Sequence, residues 1–221
     1  MSDSRLTREQ SKALTRERVL DAARVVFASR GFHGASVEEI AAEAGYSTGA
    51  LYSNFEGKED LFLALMEREV DRHTEEIAAA VRDRSSVTER ALGGSAQWMT
   101  VIEREPELLL LFMEFWAYGA RDAQVRERVA GSFARAREVL TRLIADATRD
   151  FDLELTMPAQ ELAVAIDALA DGVARQKLAD PSAVPDDLMG NVVTLLLAGA
   201  SRPATGRAAG RAAGTGTRSA P

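Results

Sequence analysis

Apolar residues recur at helical spacing in nearly every segment between Thr15 and Ser201, and few segments show the alternation of a half-buried strand. The first stripe follows the spacing i, i+1, i+4, i+7, i+8 and consists of Val19, Leu20, Ala23, Val26 and Phe27. Proline and glycine fall mostly at boundaries between such stripes, where they end helices. The pattern predicts an all-α protein.

The sequence of the N-terminal part predicts three helices. After a flexible arm over 1–14, the first helix runs from about 15 to 30 and ends at Gly31. Ser36 and Glu39 have the spacing of a capping box and start a second helix that stops at Gly45. Ser47 caps a third helix. Two short helices joined by a tight turn are typical of a helix-turn-helix, so 15–58 is predicted to be a helix-turn-helix module, the N-terminal part of a DNA-binding protein.

The remainder predicts a helical bundle over 59–200. A long amphipathic helix over 58–83 is followed by segments at about 86–104, 106–119, 121–149, 158–178 and 185–200. The segment ELLLLFMEFWAY is apolar nearly all round, which predicts a buried central helix. Residues 201–221 carry four arginines and almost no bulky apolar side chain, which predicts a disordered basic tail.

Composition excludes several classes of protein. The chain has no cysteine, which removes disulfide scaffolds and thiolate chemistry. The longest apolar run, LLLLFM, is far shorter than the roughly 20 residues of a membrane-spanning helix, and no signal peptide is evident, so a cytoplasmic location is expected. The net charge of -7 counts mildly against DNA as a partner. However, residues 1–58 carry eight basic and eight acidic side chains, so the acidity belongs to the body.

The third helix has an unusual surface. On a helical wheel Leu51 and Phe55 point one way, Gly49, Ala50 and Ser53 occupy the opposite arc, and Tyr52 lies on the flank. Small side chains let a helix backbone approach base edges in a major groove about 12 Å wide. The helix N-terminus near Ser47 carries a partial positive charge that suits a phosphate.

The stretches TRERVLDAARVVFASRGF and ASVEEIAAEAGYSTGALYSNFEGKEDL resemble the TetR (tetracycline-repressor-like) family of bacterial transcriptional regulators. The resemblance implies a double-stranded DNA operator as partner and no cofactor. It assigns phosphate contacts to Ser36, Ser47, Tyr52, Asn54 and Lys58, and base-edge contacts to Thr48, Gly49, Ala50 and Ser53. Two positions depart from the family pattern, Tyr46 and Asn54. Helix capping alone also explains Ser36 and Ser47.

The resemblance also implies a homodimer formed through the last two helices. Two apolar stripes fit such an interface, and intrachain packing is the alternative for both: Leu162, Ile166, Leu169 and Val173 on one helix, and Leu188, Val192, Leu195 and Leu196 on the other.

A pocket for a small-molecule effector inside the bundle is a further implication. The candidates are bulky side chains of the body together with one carboxylate, although ordinary core packing explains any single one of them: Trp98, Met99, Ile102, Phe112, Met113, Glu114, Trp116 and Phe133. Glu114 stands within an apolar segment, where an unpaired carboxylate is costly. We therefore expect it to pair with an arginine such as Arg121, or to face a cationic or hydroxylated ligand.

Enzymatic function is not expected, because no phosphate-binding glycine loop or nucleophile elbow is present. Glu69, His73 and Glu76 have a spacing that suits a metal, but they lie on a charged helix face that predicts solvated surface. The residues and the resemblance together predict a ligand-responsive DNA-binding regulator, and the resemblance implies a homodimeric repressor that binds a pseudo-palindromic operator and is released by a small molecule. The alternative is a helical small-molecule-binding protein without sequence-specific DNA binding.

Overall fold

The computed structural model describes residues 7–204, and within that range the chain forms nine α-helices, one 3-10 turn and one two-stranded sheet. The all-α prediction is confirmed. The helices are α1 Arg8–Gly34, α2 Val37–Glu43, α3 Thr48–Tyr52, α4 Lys58–Val81, α5 Val87–Arg104, α6 Pro106–Gly119, α7 Ala123–Asp150, α8 Ala159–Ala179 and α9 Leu188–Ala200. The 3-10 turn is Pro181–Ala183, and the strands are β1 Leu153–Leu155 and β2 Ser201–Pro203.

Helix α1 begins earlier than predicted. Thr7 Oγ1 accepts a hydrogen bond from the Gln10 backbone N–H at 3.2 Å, and the Gln10 side chain accepts one from the Thr7 N–H at 2.9 Å, which completes a capping box. The prediction of a flexible arm is therefore wrong for residues 8–14, and residues 1–6 lie outside the described range. The predicted interruption at Gly31 is confirmed, because its φ of 68° breaks the helix.

The three N-terminal helices share one core with the start of the body. Val19, Phe27, Ile40 and Leu51 are fully buried and belong to this core. The core continues without a break into α4, α6 and α7. The ring of Phe62 on α4 makes the connection, 5.2 Å from Phe27 and 6.0 Å from Phe115 between centroids. Lys58, the last residue of the predicted helix-turn-helix module, is the first residue of α4. Apolar packing therefore crosses the predicted boundary between this module and the helical body.

The later helices lie close to their predicted positions and enclose a second core between α5, α8 and α9, built on Met99, Leu162, Ala163 and Val193. The prediction of a fully buried α6 is wrong in part. Leu108, Leu111 and Phe115 are buried, but Leu110 and Trp116 are 53% and 63% exposed. Helix α6 therefore covers the core with one face only.

The sequence did not predict the short sheet. Leu155 pairs with Ser201 and Leu153 with Pro203 in antiparallel register, which fixes the end of α9 beside the end of α7. The expectation of disorder from residue 201 is therefore wrong for Ser201–Pro203, and residues 205–221 lie outside the described range. None of the helices within 7–204 has both the length and the apolar character needed to cross a bilayer.

Candidate functional site

Helices α2 and α3 form the predicted helix-turn-helix. Both caps are confirmed, because Ser36 Oγ accepts from the Glu39 N–H at 3.1 Å and Ser47 Oγ accepts from the Ala50 N–H at 3.2 Å. Gly45, with a φ of 72°, makes the turn between the helices. Burial of Leu51 and Phe55 fixes α3 to the core, so its opposite face is presented outward.

The predicted contact residues lie around this outward face. Gly49 and Ser53 are exposed, Thr48 and Ala50 are half-buried, and Tyr52 is 54% exposed on the flank. Apart from the Tyr52 ring, these five positions carry small side chains or, at Gly49, none. This geometry matches what a groove-binding helix requires.

Asn54 and Lys58 are less available than the sequence suggests. Asn54 Nδ2 donates to the Ala50 carbonyl at 2.9 Å and to Ser53 Oγ at 3.1 Å, so both amide hydrogens are used within α3. The predicted phosphate contact of Asn54 stays a prediction, and it requires the amide to exchange one of these two hydrogen bonds for the phosphate. Lys58 Nζ donates to the Ala35 carbonyl at 3.0 Å and lies 4.8 Å from the Phe32 ring centroid, which leaves part of the ammonium free.

Arg16 is a cation near α3 that sequence reasoning missed. Its guanidinium donates to the Asn54 carbonyl at 3.2 Å and stacks 4.4 Å from the centroid of the Phe55 ring. Arg16 lies on α1, far from α3 in sequence, so no local pattern could reveal the contact. It places a positive charge beside the end of α3.

The helical body contains a cavity of about 720 Å³ lined by residues of α4 to α9. Five of the predicted pocket residues line it: Trp98, Phe112, Met113, Trp116 and Phe133. A volume of this size accepts a drug-sized or lipid-sized molecule. Trp116 is largely exposed and lies where the cavity meets solvent.

Three predicted pocket residues do not line this cavity. Met99 and Ile102 are buried in the second core, because they lie on the side of α5 that packs against other helices. Glu114 is exposed, and its Oε2 accepts a hydrogen bond from the Phe32 backbone N–H at 2.9 Å. The expected pairing of Glu114 with Arg121 and the expected ligand contact are both wrong, since the carboxylate binds the backbone of the N-terminal module.

The cavity wall also contains polar groups that the sequence did not single out. Asp167 and Asp171 lie one turn apart on α8, and His73 lies on α4. Burial, together with the neighbouring charge of Asp171, raises the pKa of Asp167 to about 6, against a smaller opposing effect of Arg137. Burial also raises the pKa of Asp171 above its usual range.

A network of buried charges joins the cavity to the N-terminal module. Glu69 on α4 and Glu105 between α5 and α6 are 1% and 7% exposed. Arg72 donates to both carboxylates, at 2.7 Å and 2.5 Å. Arg24 on α1 reaches Glu105 at 3.0 Å, and His73 Nε2 lies 3.1 Å from the same oxygen. The expectation of a solvated surface at Glu69 and His73 is therefore wrong, because α1 and α5 pack over this face of α4.

Titration of the network is shifted by burial and by the ion pairs. Burial alone would raise the pKa of Glu105, but hydrogen bonds from Arg72 and His73 outweigh it and lower the pKa to about 2. Burial lowers the pKa of His73, so the ring is neutral at neutral pH. Glu69, His73 and Glu105 bring three potential metal ligands together. The carboxylate oxygens of Glu69 and Glu105 already accept hydrogen bonds from the guanidinium groups of Arg72 and Arg24, so the site does not fit a metal ion.

The predicted dimer stripes divide between core and surface. Leu162, Ile166 and Val173 are buried within their own chain, so the prediction that they face a partner is wrong, and the alternative of intrachain packing describes them. Leu169, Val192 and Leu196 are half-buried. Leu188 is exposed and Leu195 is 71% exposed. Val164, on α8, is a further exposed apolar residue that the prediction missed.

Comparisons with known proteins agree with this architecture. Residues 19–65 match the sequence profile described as bacterial regulatory proteins, tetR family, and residues 87–200 match the profile of the C-terminal domain of BetI-type transcriptional repressors. The HTH-type transcriptional activator FasR from Mycolicibacterium smegmatis is 30% identical over 185 residues, which cover 83% of this chain and 80% of FasR.

Two solved structures share the fold at lower identity. FadR from Bacillus subtilis, in complex with stearoyl-CoA, superimposes with a TM-score of 0.67 and 18% identity over 83% of this chain and 98% of FadR. A transcriptional regulator from Saccharomonospora viridis in complex with choline gives a TM-score of 0.66 and 20% identity over 84% of this chain and 96% of that protein.

Proposed function

Because the chain belongs to the TetR family of bacterial regulatory proteins and is a ligand-responsive DNA-binding regulator, we propose that it is a homodimeric repressor released from its operator by an effector in the body cavity. The observation that carries the DNA-binding part is the outward face of α3. Buried Leu51 and Phe55 anchor that helix, so its small and polar side chains are left for a groove.

The proposed contacts follow from the exposure of each side chain. Thr48, Gly49, Ala50 and Ser53 approach base edges, while the Tyr52 hydroxyl donates to a phosphate on the flank. Ser36 and Ser47 remain candidates for phosphate contacts in addition to capping. Lys58 keeps free ammonium hydrogens for a phosphate, and Arg16 joins it as a second cation.

We propose that the dimer forms through the exposed apolar side chains of α8 and α9. Val164, Leu188 and Leu195 project from these helices, and burying them against a second copy removes apolar area from water. A two-fold dimer presents two α3 helices about 34 to 36 Å apart, which suits a pseudo-palindromic operator. Repression is supported by the match of residues 87–200 to a repressor profile, although FasR is named an activator.

Helix α4 is the proposed connection between effector and DNA. Its residue His73 lies in the cavity wall and also contacts Glu105, which is paired with Arg24 of the N-terminal module. An effector that displaces His73 changes this network. A preference of roughly 1 to 3 kcal/mol for the displaced arrangement alters DNA affinity about 5- to 150-fold.

Retardation of the DNA upstream of its own gene tests the proposal. Replacing Tyr52 by Phe removes one phosphate contact per subunit. Two contacts of about 1 kcal/mol each correspond to about a 30-fold weaker Kd for the dimer. The matched control is Tyr118→Phe, which removes the same hydroxyl from α6, a helix outside the helix-turn-helix, and is expected to bind like the wild type.

Two results would contradict the proposal. One is the absence of salt-dependent retardation on any genomic fragment, which would favour the alternative of a ligand-binding protein without DNA recognition. The neutral charge of residues 1–58 is the observation on the side of that alternative. The other is unchanged affinity of Tyr52→Phe, which would remove the proposed contact.

A further inference from the structure

The cavity has an apolar wall with one acidic side. Trp98, Phe112, Trp116 and Phe133 supply aromatic surface, whereas Asp167 and Asp171 face the cavity from consecutive turns of α8. Trp98 Nε1 donates to the Ala170 carbonyl at 3.1 Å, so the indole lies against the part of α8 that carries both carboxylates. Aromatic faces next to carboxylates form a surface that attracts positive charge.

The two carboxylates have few partners of their own. Among residues 7–204 no hydrogen bond or ion pair within 4 Å reaches Asp171, and Asp167 has only Arg137, at 3.7 Å. Two like charges that are partly desolvated and one turn apart repel each other. A positive group between them would remove this repulsion.

The arginines of the cavity wall do not supply that positive group. Arg90 donates to Asp150 at 2.6 Å and stacks 4.8 Å from the Phe151 ring centroid, so its charge is already neutralised. Burial outweighs the opposing charge of Arg175 in raising the pKa of Asp171, because Arg175 is exposed and solvent screens it. The acidic side of the cavity is therefore incompletely compensated.

His73 provides a second, independent indication of a polar ligand. Its side chain is 95% buried and lies in the same cavity wall, in contact range of Trp98 and Phe112. Nε2 lies in the charged network, whereas Nδ1 has no hydrogen-bond partner within the described residues. Nε2 lies near a donor, Arg72 Nη2 at 2.7 Å, and near an acceptor, Glu105 Oε2 at 3.1 Å, so Nδ1 is an acceptor in one neutral tautomer and a donor in the other. In either tautomer Nδ1 requires a polar partner.

We propose that the effector is an organic ammonium ion with an apolar body, whose positive group binds Asp167 and Asp171. This inference rests on the proposed function and specifies the chemical class of its effector. The apolar body occupies the space between the aromatic rings, and no carboxylate or phosphate is accommodated at the acidic side.

Three probes with the same alkyl chain test the class of ligand. Both tryptophans of the chain line the cavity, so their fluorescence reports binding directly. We expect decylammonium, below its micelle concentration, to bind at least about 10-fold more tightly than decan-1-ol or decanoate, the difference that about 1.4 kcal/mol produces. Decanoate binding most tightly, or equal affinity for all three, would overturn the proposal.

Charge-removing variants locate the binding group. Asp167→Asn and Asp171→Asn should each weaken decylammonium binding about 5-fold or more and leave decan-1-ol unchanged. Removing a desolvated charge should not lower the Tm, so a loss of affinity would not reflect unfolding. The control Glu138→Gln removes an exposed carboxylate of α7 and should bind like the wild type. Wild-type affinity in both aspartate variants would refute the site.

The pH dependence gives an independent measurement. Decylammonium binds the ionised carboxylates, so its affinity should fall as the pH drops through about 6, the pKa of Asp167, and the fall should be smaller in Asp167→Asn. The charged groups facing this site are Asp171 and Arg175 on α8, Arg137 on α7, Arg90 on α5 and His73 on α4. Only Asp171 and His73 of these also titrate at acidic pH. Operator retardation by the wild type in the absence of any probe tests the proposed function separately.

Discussion

Replacing Glu105 by Gln should destabilise the protein by an amount that depends on pH. In the folded chain Arg72, Arg24 and Arg104 lie 2.5, 3.0 and 2.8 Å from its oxygens. The pKa of Glu105 is lowered from 4.5 to about 2, which corresponds to about 3 kcal/mol of stability. The Gln side chain has the same shape without the charge, so the variant loses this contribution.

The sign of the pH effect follows from the lowered pKa. The stabilisation is fully present above the unfolded value of 4.5 and is lost as the pH falls toward about 2. The difference in free energy of unfolding between wild type and Glu105→Gln should therefore be about 3 kcal/mol at neutral pH and about half of that near pH 3. Arg24 and Arg72 are about one-third exposed and water screens their charges, so about 3 kcal/mol is the upper end of the expected difference in free energy of unfolding.

Denaturant unfolding followed by circular dichroism, at one protein concentration, measures this difference. The control is Glu103→Gln, since Glu103 lies two positions away with an exposed side chain 4.0 Å from Lys177. That variant should stay within about 0.5 kcal/mol of the wild type. The reasoning would be refuted if Glu105→Gln were as stable as the wild type at neutral pH, or if its deficit stayed constant down to pH 3.

Two further predictions concern the dimer face and the start of α3. Leu195→Glu places a charge on the most exposed large apolar side chain of α9, so sedimentation should show a shift toward monomer with weaker operator binding. The control Leu110→Glu, on the exposed side of α6, should not change the oligomeric state. A dimer retained in Leu195→Glu would exclude this face. Ser47→Ala removes the cap of α3 and should lower the free energy of unfolding by about 1 kcal/mol. Ser47→Gly should lower it by only a few tenths of a kcal/mol. Equal losses in both variants would show that capping is not the role of Ser47.

The helices were predictable because each depends on local signals. The capping residues Ser36 and Ser47 and the interruption at Gly31 act within one turn of chain, and the structure has all three where the sequence indicates. The same holds for the anchoring of α3 by Leu51 and Phe55, since helical spacing alone separates the buried face from the free one. The helix-turn-helix could therefore be derived from sequence.

The polar part of the body could not be predicted in this way. Glu69 and His73 look like solvated surface on a charged helix, but α1 and α5 cover that face. Glu114 looks buried because its neighbours are apolar, yet α6 packs through one face only. In both cases burial depends on which helices meet in three dimensions. Strands of three residues, such as β1, are too short to show a period.

The hydrogen bond between Glu114 and the Phe32 N–H has a geometric consequence for signalling. Phe112, Met113 and Trp116 face the cavity from α6, and Glu114 on the same helix holds the backbone next to Gly31. With side chains extending about 6 Å from a helix axis, a rotation of about 20° moves a carboxylate by roughly 2 Å, enough to break a hydrogen bond. A ligand that turns α6 slightly about its own axis would therefore release α1 at its kink, without any change in the positions of the helix ends.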